Sequence, residues 1–299
     1  MNKLTDVFVS ADFHDQDLPI TETNLFSGNN MTGTVLCETT NKPDSHRCCI
    51  MKRQIFSLDM ALNSVDDQYK GCREKMADLV ETKYMKQEMS NPKSKFAIAW
   101  KLAEKKYKTP GENLTKNHSI AIYVYTNSGF GVHKEFNEAD RNDKNRYKNE
   151  TYKWYSLHFL LTDAIQILKK TQKKCYSTYR GTNLKFIQNV QNKKVRFGSF
   201  TSSSMNRNKT KFFGNVSCFE IYTCEGADLT KYSKLPRERE VLIPPYETFK
   251  VTAVRTRRGQ KDLWCDTVFT LKSSGKRSDL NCALFKKPAK TITKYYAEQ

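Results

Sequence analysis

Hydrophobic residues recur at helical spacing in the first half of the chain and gather in short runs in the second half. Spacings of three and four residues predict helices over about 58–69, 76–84, 96–107 and 157–168. The third of these meets a strong breaker at 109–111 (Thr-Pro-Gly). The fourth has the clearest amphipathic pattern, and we expect its apolar face to lie in the core. That face is formed by Leu157, Leu160, Leu161, Ala164, Ile165 and Leu168.

Three other segments of the first half predict something different. The run Ser119–Tyr125 is β-branched and aromatic and is bounded by polar residues, so it predicts a buried strand. The charged segment Lys134–Lys148 predicts a solvated helix or loop. Residues 1–50 show no sustained period, and we expect them to form a poorly ordered extension.

The second half predicts a series of short strands separated by polar turns. They cover 176–179, 195–199, 216–222, 240–243, 248–254 and 264–271. Helices followed by strands indicate an α+β fold, in which a helical N-terminal half packs on a mainly antiparallel, split β-sheet. We expect one domain over 51–285 and a basic, solvated tail over 286–299.

The net charge of the chain indicates the sign of its partners but not their chemical class. The chain carries 51 Lys and Arg against 32 Asp and Glu, a formal net charge of +19, which favours anionic partners. Its hydrophobic fraction is only 38%, but 17 Phe and 15 Tyr supply large apolar faces, so global disorder is not expected. Because no run of about 18 apolar residues occurs, a membrane-spanning helix is not expected either.

Cysteines and glycosylation acceptors indicate the secretory pathway. Nine cysteines occur, and six N-x-S/T triplets begin at Asn30, Asn113, Asn117, Asn149, Asn208 and Asn215. Neither an apolar signal-peptide core near Met1 nor a hydrophobic C-terminal anchor signal is visible. We nevertheless expect the protein to be extracellular or lumenal, secreted or at the cell surface.

Candidate chemistry lies in three segments of the strand-rich half, at 179–181, 197–204 and 236–245. Arg180 followed by glycine can hold a pyrophosphate through its planar fork of N–H groups. The second segment ends in hydroxyl residues, and the third places Glu238 and Glu240 two positions apart, on one face if the chain is extended. Taken singly, each pattern is more often a polar strand end or a solvated surface.

Together and in this order the segments resemble the R-S-E-x-E signature of the arginine-specific mono-ADP-ribosyltransferases, in particular the vertebrate ecto-enzymes. Further blocks over 66–72, 195–202, 222–227 and 240–247 are similar to that family. The resemblance covers about Phe56 to Cys282. It implies transfer of a single ADP-ribose from NAD+, the co-substrate, to arginine side chains of target proteins, with release of nicotinamide and without a metal.

The resemblance also implies a role for each site residue. Arg180 would hold the phosphates of NAD+ with Tyr179 and Gly181 beside it, and Ser202 would orient the nicotinamide ribose. The ring of Phe213 would pack against nicotinamide. Glu240 would bind the ribose 2′-hydroxyl and stabilise the cation that forms as nicotinamide leaves. Glu238 would position and deprotonate the incoming guanidinium.

In the same way, the resemblance implies disulfides Cys72–Cys282 and Cys175–Cys224. Cys218 and Cys265 could be a further pair or free buried thiols, and the pairing of Cys37, Cys48 and Cys49 stays open. We expect the protein to be a monomer, and in a monomer an odd number of cysteines leaves at least one of them unpaired.

The sequence departs from the family at Leu235, where an aromatic residue often helps to recognise the target; Tyr232 could substitute. Recognition of the acceptor is therefore less firmly implied than binding of NAD+. Two alternatives to the transferase remain open. One is an NAD+ glycohydrolase that uses the same site with water as acceptor. The other is a basic nucleic-acid- or glycan-binding protein with a vestigial NAD site, although no specific nucleic-acid motif is present.

Overall fold

The computed structural model describes residues 54–210 and 213–285 as a helical layer packed on a β-sheet. The predicted extension over 1–50 and the predicted basic tail over 286–299 lie outside the described residues. The helices are α1 (Arg73–Leu79), α2 (Met85–Glu88), α3 (Lys95–Ala103), α4 (Lys116–Thr126), α5 (Val132–Asn142), α6 (Lys144–Lys148), α7 (Tyr155–Gln172) and α8 (Arg207–Thr210). The strands are β1 (Ile55–Phe56), β2 (Tyr176–Thr182), β3 (Lys185–Phe186), β4 (Lys194–Val195), β5 (Thr201–Ser204), β6 (Ser217–Thr223), β7 (Ala227–Asp228), β8 (Glu240–Ile243), β9 (Glu247–Thr256) and β10 (Thr267–Lys276).

The longest helix, α7, confirms the clearest amphipathic prediction. It packs against α4 and against strand β7. All six predicted core residues on its apolar face are buried. Within the described residues, none of the helices combines the length and apolar character that spanning a bilayer requires.

The predicted strand over Ser119–Tyr125 is wrong, because this segment forms helix α4. The helix begins at a capping box in which the Thr115 hydroxyl accepts the backbone N–H of His118 and the His118 side chain accepts that of Thr115. Every residue from His118 to Thr126 is buried. A helix that is buried all round shows no polar face, so its composition resembles that of a core strand.

The predicted helix over 58–69 is also wrong. Residues 57–71 form an irregular segment in which Ala61 and Tyr69 have left-handed backbone angles, with φ of 46° and 55°. Leu58 and Val65 are buried, but in separate clusters rather than along one helical face. Helical structure starts only at Arg73, and a π-helical turn joins α1 to α2.

The predicted helix or loop over 134–148 consists of helices α5 and α6, but it is not wholly solvated. Phe136, Asp140 and Tyr147 are buried and anchor these helices to the core. The predicted strand over 195–199 is largely wrong, because β4 stops at Val195 and the chain turns through Gly198, whose φ is +76°, before β5 begins.

The sheet has eight strands in the order β4-β9-β10-β6-β2-β5-β8-β7, and it is antiparallel except between β10 and β6. Strands β2 and β5 are joined by a single residue pair, Tyr179 with Ser204. On either side of this junction the pairing is more extensive, over seven residues for β2 with β6 and four for β5 with β8. The sheet is therefore split at this junction, as predicted, into two parts.

A buried ion pair connects the irregular segment near residue 66 to the strand region. The Nη1 atom of Arg196 lies 2.6 Å from Oδ2 of Asp66, and both side chains are completely inaccessible to solvent. Arg196 also donates to the carbonyl oxygens of Met60, Ala61 and Arg277. The Asp66 carboxylate in turn accepts the backbone N–H groups of residues 279 and 280. Both buried charges are thus fully partnered, the condition under which such a pair is tolerated.

Three disulfides close the described part of the chain. Cys72–Cys282 and Cys175–Cys224 pair as the resemblance implied. Cys218 and Cys265, for which two states were open, form a third bond that links β6 to the segment before β10. The first of these bonds ties the start of α1 to the C-terminal segment, next to the Asp66–Arg196 pair. Cys37, Cys48 and Cys49 lie outside the described residues.

We predict that Asp66→Asn destabilises the protein by about 3–5 kcal/mol, because it leaves the Arg196 guanidinium buried without its counter-charge. The free energy of unfolding in urea checks this. The control is Asp266→Asn, which removes the half-exposed partner of Arg257 and is expected to cost less than about 1 kcal/mol. Equal losses in the two variants would contradict the structural role of the buried pair.

Candidate active site

Arg180 lies where the sheet splits between β2 and β5. Its Nη1 atom donates a 2.9 Å hydrogen bond to the carbonyl oxygen of Ser202, across the gap beside the single Tyr179–Ser204 pair. The side chain is partly buried, so the guanidinium is fixed at the edge of a cleft. The structure therefore brings together two of the residues predicted to bind the co-substrate.

Gly181 allows a close approach of the backbone behind Arg180. A Cβ atom at this position would lie 2.5 Å from the carbonyl oxygen of Gly214 and 2.8 Å from that of Thr210, too close for any side chain. Gly214 itself has φ of +128°, a conformation that favours glycine. The segment that carries Phe213 can cross β2 here only because both positions lack a side chain. Phe213 is buried at the end of this crossing.

Glu240 is the buried carboxylate of the cleft. It is the first residue of strand β8 and pairs with Ser204 of β5. Ser202, which contacts the Glu240 carboxylate, lies two residues before Ser204 on β5. Burial raises the pKa of Glu240 to about 7. Hydrogen bonds from the hydroxyls of Ser202 and Ser233, and the charge of Arg180, act in the opposite direction. The group is therefore poised between its neutral and charged forms near neutral pH.

Glu238 reaches the same cleft, but not in the way that the sequence suggested. Residues 236–238 form a 3-10 turn and Arg239 has a left-handed φ of 48°, so the two glutamates do not share the face of one extended strand. Burial raises the pKa of Glu238 to about 8, and the nearby charge of Glu240 acts in the same direction, whereas that of Lys209 lowers it. Arg237 and Arg239 are exposed, as predicted.

Tyr179 does not face the cleft side by side with Arg180. Successive residues of a strand point to opposite faces, and the ring of Tyr179 packs edge-on against Trp264 with centroids 6.3 Å apart. Glu220, on the neighbouring strand, accepts a hydrogen bond from the Trp264 indole at 3.2 Å. The role that the resemblance implied for Tyr179 stays a prediction, while its ring packs against Trp264.

Sequence reasoning missed two residues that hold the site, Tyr125 and Ser233. The Tyr125 hydroxyl donates to the carbonyl oxygen of Phe200 at 3.1 Å, accepts from the Asn137 amide at 3.2 Å and contacts the Ser202 side chain. It lies on α4, which the sequence predicted to be a strand. Ser233 is completely buried and stands in a loop whose sequence carries no signal for its contact with Glu240.

The loop before Glu238 contains the residues considered for target recognition. Tyr232 is only 3% exposed, so the expectation that its ring could substitute for the missing aromatic residue is wrong. Leu235 is partly exposed in its place. The loop is tied to the helical layer by the Lys234 backbone N–H, which donates to the Thr126 hydroxyl at 2.9 Å.

In residues 54–210 and 213–285, no group of three or more His, Cys, Asp or Glu side chains is arranged to hold a metal ion. The groups that the cleft offers to a ligand are a guanidinium, hydroxyls and two carboxylates. Such a set can bind a phosphorylated sugar and stabilise positive charge next to it.

Comparison with known proteins gives consistent results. The family model described as "NAD:arginine ADP-ribosyltransferase" matches residues 58–279. The chain is 33% identical to NAD(P)(+)--arginine ADP-ribosyltransferase 1 of Gallus gallus over 77% of this chain and 73% of that protein. It is 34% identical to the GPI-linked NAD(P)(+)--arginine ADP-ribosyltransferase 1 of Homo sapiens, over 79% of this chain and 78% of that protein.

A further relative is ecto-ADP-ribosyltransferase 5 of Bos taurus, 33% identical over 76% of this chain and 73% of that protein. Among solved structures, a mutant of the eucaryotic mono-ADP-ribosyltransferase ART2.2 in complex with NADH is similar to this fold with a TM-score of 0.62. The two chains are 31% identical, and the match covers 77% of this chain and 99% of that one.

We predict that the ligand-free protein loses stability as the pH rises from about 4.5 to about 8. An unfolded chain ionises Glu238 and Glu240 near 4.5, whereas the folded protein keeps them protonated until about 8 and 7. The folded state therefore binds more protons in this window, and each group lowers the stability by at most about 1.4 kcal/mol per pH unit. Urea unfolding at several pH values measures the slope. The curve of Glu240→Gln should be flatter than that of the wild type up to about pH 7, and parallel curves would contradict the assignment.

Proposed function

The chain belongs to the NAD:arginine ADP-ribosyltransferase family, and we propose that it uses the cleft between β2, β5 and β8 to transfer one ADP-ribose from NAD+ to an arginine side chain of a protein. The observation that carries this proposal is the position of Glu240. Its carboxylate is buried, accepts two hydroxyl hydrogen bonds and lies within the field of the Arg180 guanidinium. An anion held in this way suits a reaction that develops positive charge on a sugar.

Arg180 and Ser202 bind and orient NAD+. A guanidinium presents its N–H donors in a planar fork, which matches the oxygens of a pyrophosphate. Anchoring Arg180 to the Ser202 carbonyl fixes the direction of that fork. The Ser202 hydroxyl contacts the Glu240 carboxylate, and the nicotinamide ribose is expected beside this pair. The ring of Phe213 offers an apolar surface to nicotinamide.

Glu240 promotes the departure of nicotinamide. The bond between the ribose C1′ and the pyridinium nitrogen breaks, its electron pair stays on nicotinamide, and positive charge develops on the ribose. An ionised carboxylate in a site of low dielectric constant stabilises this charge more strongly in the transition state than in the ground state. Glu240 also accepts a hydrogen bond from the ribose 2′-hydroxyl, which fixes the sugar relative to the charge.

Glu238 prepares the acceptor. Arginine is almost always protonated, with a pKa above about 12, and a guanidinium nitrogen must lose a proton as it forms the bond to C1′. A carboxylate whose pKa has been raised to about 8 by burial and by Glu240 holds that proton well near neutral pH. The cationic acceptor itself favours the ionised form of Glu238 as it binds.

The site of action is proposed to be outside the cell or in a secretory lumen. Three disulfides are typical of such compartments. Five N-x-S/T asparagines that the structure describes are exposed and accessible to glycosylation: Asn113, Asn117, Asn149, Asn208 and Asn215. The partners proposed are NAD+ and proteins with exposed arginines, the enzyme acting as a monomer without a specific nucleic acid.

We predict that Glu238→Gln lowers transfer of labelled ADP-ribose to agmatine by about 10²–10⁴-fold, because the amide cannot take up the acceptor's proton. Release of nicotinamide in the absence of acceptor should stay within about tenfold of wild type, since Glu240 is intact. Glu104→Gln, which changes an exposed glutamate just after α3, is the control and should leave both activities unchanged. Equal loss of transfer and of cleavage in Glu238→Gln would contradict the separate role of Glu238.

Ser233→Ala is predicted to shift the pH dependence of the reaction. The value of kcat/KM for NAD+ should rise with pH through about 7, since it reports the ionisation of Glu240 in the free enzyme. Because the Ser233 hydroxyl favours the ionised form, its removal should move this midpoint upward by roughly half a unit to one unit. Ser233→Thr should restore the midpoint. An unchanged midpoint in Ser233→Ala would show that the hydroxyl does not act on Glu240.

A further inference from the structure

The helical layer contains a cavity of about 420 Å³ that the proposed reaction does not use. It opens between α2, the start of α3, α5 and the segment that leads into α7. None of the residues that border it belongs to the strands β2, β5 and β8 that form the active-site cleft. The cavity is therefore a second concave site on a different part of the molecule.

Aromatic rings form the walls of this cavity. Tyr84 and Tyr155 stack with centroids 4.2 Å apart, and Tyr152 meets Tyr155 edge-on at 5.2 Å. On the other side, Phe96 meets Trp154 edge-on at 5.8 Å. Lys83 already lies over the ring of Tyr84, with its Nζ atom 5.0 Å from the centroid. Trp154 is the partly exposed ring of this wall, and it offers an aromatic face to a cation and apolar surface to its stem.

Glu88 supplies a carboxylate without a cationic partner to the same cavity. The two other acids that border it are already in ion pairs, Glu135 with Lys95 and Glu150 with Lys83 at 2.6 Å. Glu88 instead accepts the backbone N–H of Ser156 at the first turn of α7, at 3.2 and 3.3 Å from its two oxygens. Among the described residues no Lys, Arg or His forms an ion pair with it.

We propose that this cavity is a binding site for an organic cation, a primary amine or guanidinium on an apolar stem, whose charged head pairs with Glu88 between the aromatic walls. The stem lies against the ring of Trp154, and Lys95 stays paired with Glu135 at the border of the cavity. An acid together with aromatic faces recognises an alkylammonium or guanidinium group better than either feature alone. Ring carbons are poor metal ligands, so the walls favour an organic cation over a metal ion.

Proton release distinguishes this site from simple surface attraction. Burial raises the pKa of Glu88 to about 8, so near pH 7 the empty site is largely protonated. A bound cation favours the carboxylate, and binding expels a proton; affinity should therefore rise with pH up to about 8 and then level off. The other titratable groups that border the cavity are Tyr84, Lys95, Glu135, Glu150, Tyr152, Lys153 and Tyr155. For Tyr84, Tyr152 and Tyr155 burial raises the pKa, so that these hydroxyls stay protonated in this window. Glu135 forms an ion pair with Lys95, and Glu150 forms one with Lys83.

The probe for this site is 1,5-diaminopentane, which has no guanidinium and cannot replace the acceptor of the proposed reaction. Isothermal titration of the full chain in two buffers of different ionisation enthalpy gives both the affinity and the protons released. We expect saturable binding with proton release near pH 7. Glu88→Gln should weaken it by at least about tenfold and abolish the proton release, because the neutral amide keeps the shape but not the charge.

Two controls separate this site from the rest of the molecule. Glu81→Gln changes an exposed glutamate one turn away from the cavity, and Glu238→Gln removes an acid from the other cleft; neither should alter binding. Undiminished binding by a folded Glu88→Gln, or loss of binding in Glu238→Gln, would overturn the proposal. Absence of saturable binding by the wild type would overturn it as well.

A second measurement does not depend on the folding of Glu88→Gln. Trp154 is partly exposed on the wall of the cavity, so a bound cation should change its fluorescence. In Trp154→Phe most of the fluorescence response to the diamine should disappear, because the remaining nearby tryptophan, Trp100, packs behind Phe96, while the heat of binding is retained within about threefold. A response of unchanged size in Trp154→Phe would place the ligand elsewhere.

Discussion

The buried contact between Asp66 and Arg196 is the constraint from which the rest of the architecture follows. Arg196 lies between β4 and β5, only a few residues before Ser202. Through it the irregular segment near residue 66 and the C-terminal segment near residue 280 are fixed to the strand that forms one wall of the cleft. Two charges without solvent require their remaining donors and acceptors to be satisfied, and the carbonyl and N–H groups of these segments satisfy them.

Charged groups are also removed from water in the cleft, where this burial prepares the reaction instead of stabilising the fold. Burial raises the pKa of both Glu238 and Glu240, and the charge of Glu240 raises that of Glu238 further, so both hold their protons more tightly than free glutamates do. The Ser202 and Ser233 hydroxyls and the Arg180 guanidinium offset only part of this penalty at Glu240. A ligand that brings positive charge to the two acids recovers the remainder, which is the electrostatic condition for binding NAD+ and an arginine.

The sequence predicted those parts of the fold in which one physical signal dominates. Helix α7 has an apolar face that is regular enough to read, and the Glu240 strand is bounded by charged and proline residues. Helix α4 could not be read in the same way, because burial on all sides removes the polar face that marks a helix. The segment over 58–69 was misread for the opposite reason, since its apolar residues are buried separately by tertiary contacts.

The candidate site shows the same division. Arg180, Ser202 and Glu240 could be identified from their motifs, and the disulfides Cys72–Cys282 and Cys175–Cys224 from the resemblance, whereas spacing alone left their pairing open. The approach of Glu238 could not be derived, because it depends on the left-handed residue Arg239 rather than on strand alternation. Tyr125 and Ser233 contact the site only because segments far apart in the sequence meet in the fold, and no pattern in the neighbouring sequence predicts these contacts.

In the proposed reaction a guanidinium, a hydroxyl and two carboxylates from separate segments act on one dinucleotide. A crystal structure of the protein with a non-cleavable carbocyclic analogue of NAD+ tests this most directly. We predict that the pyrophosphate contacts Arg180, that the nicotinamide ribose lies within hydrogen-bond distance of Ser202 and Glu240, and that Glu238 faces the open side of C1′. An analogue bound away from the junction of β2 and β5, or a ribose that does not reach Glu240, would contradict it.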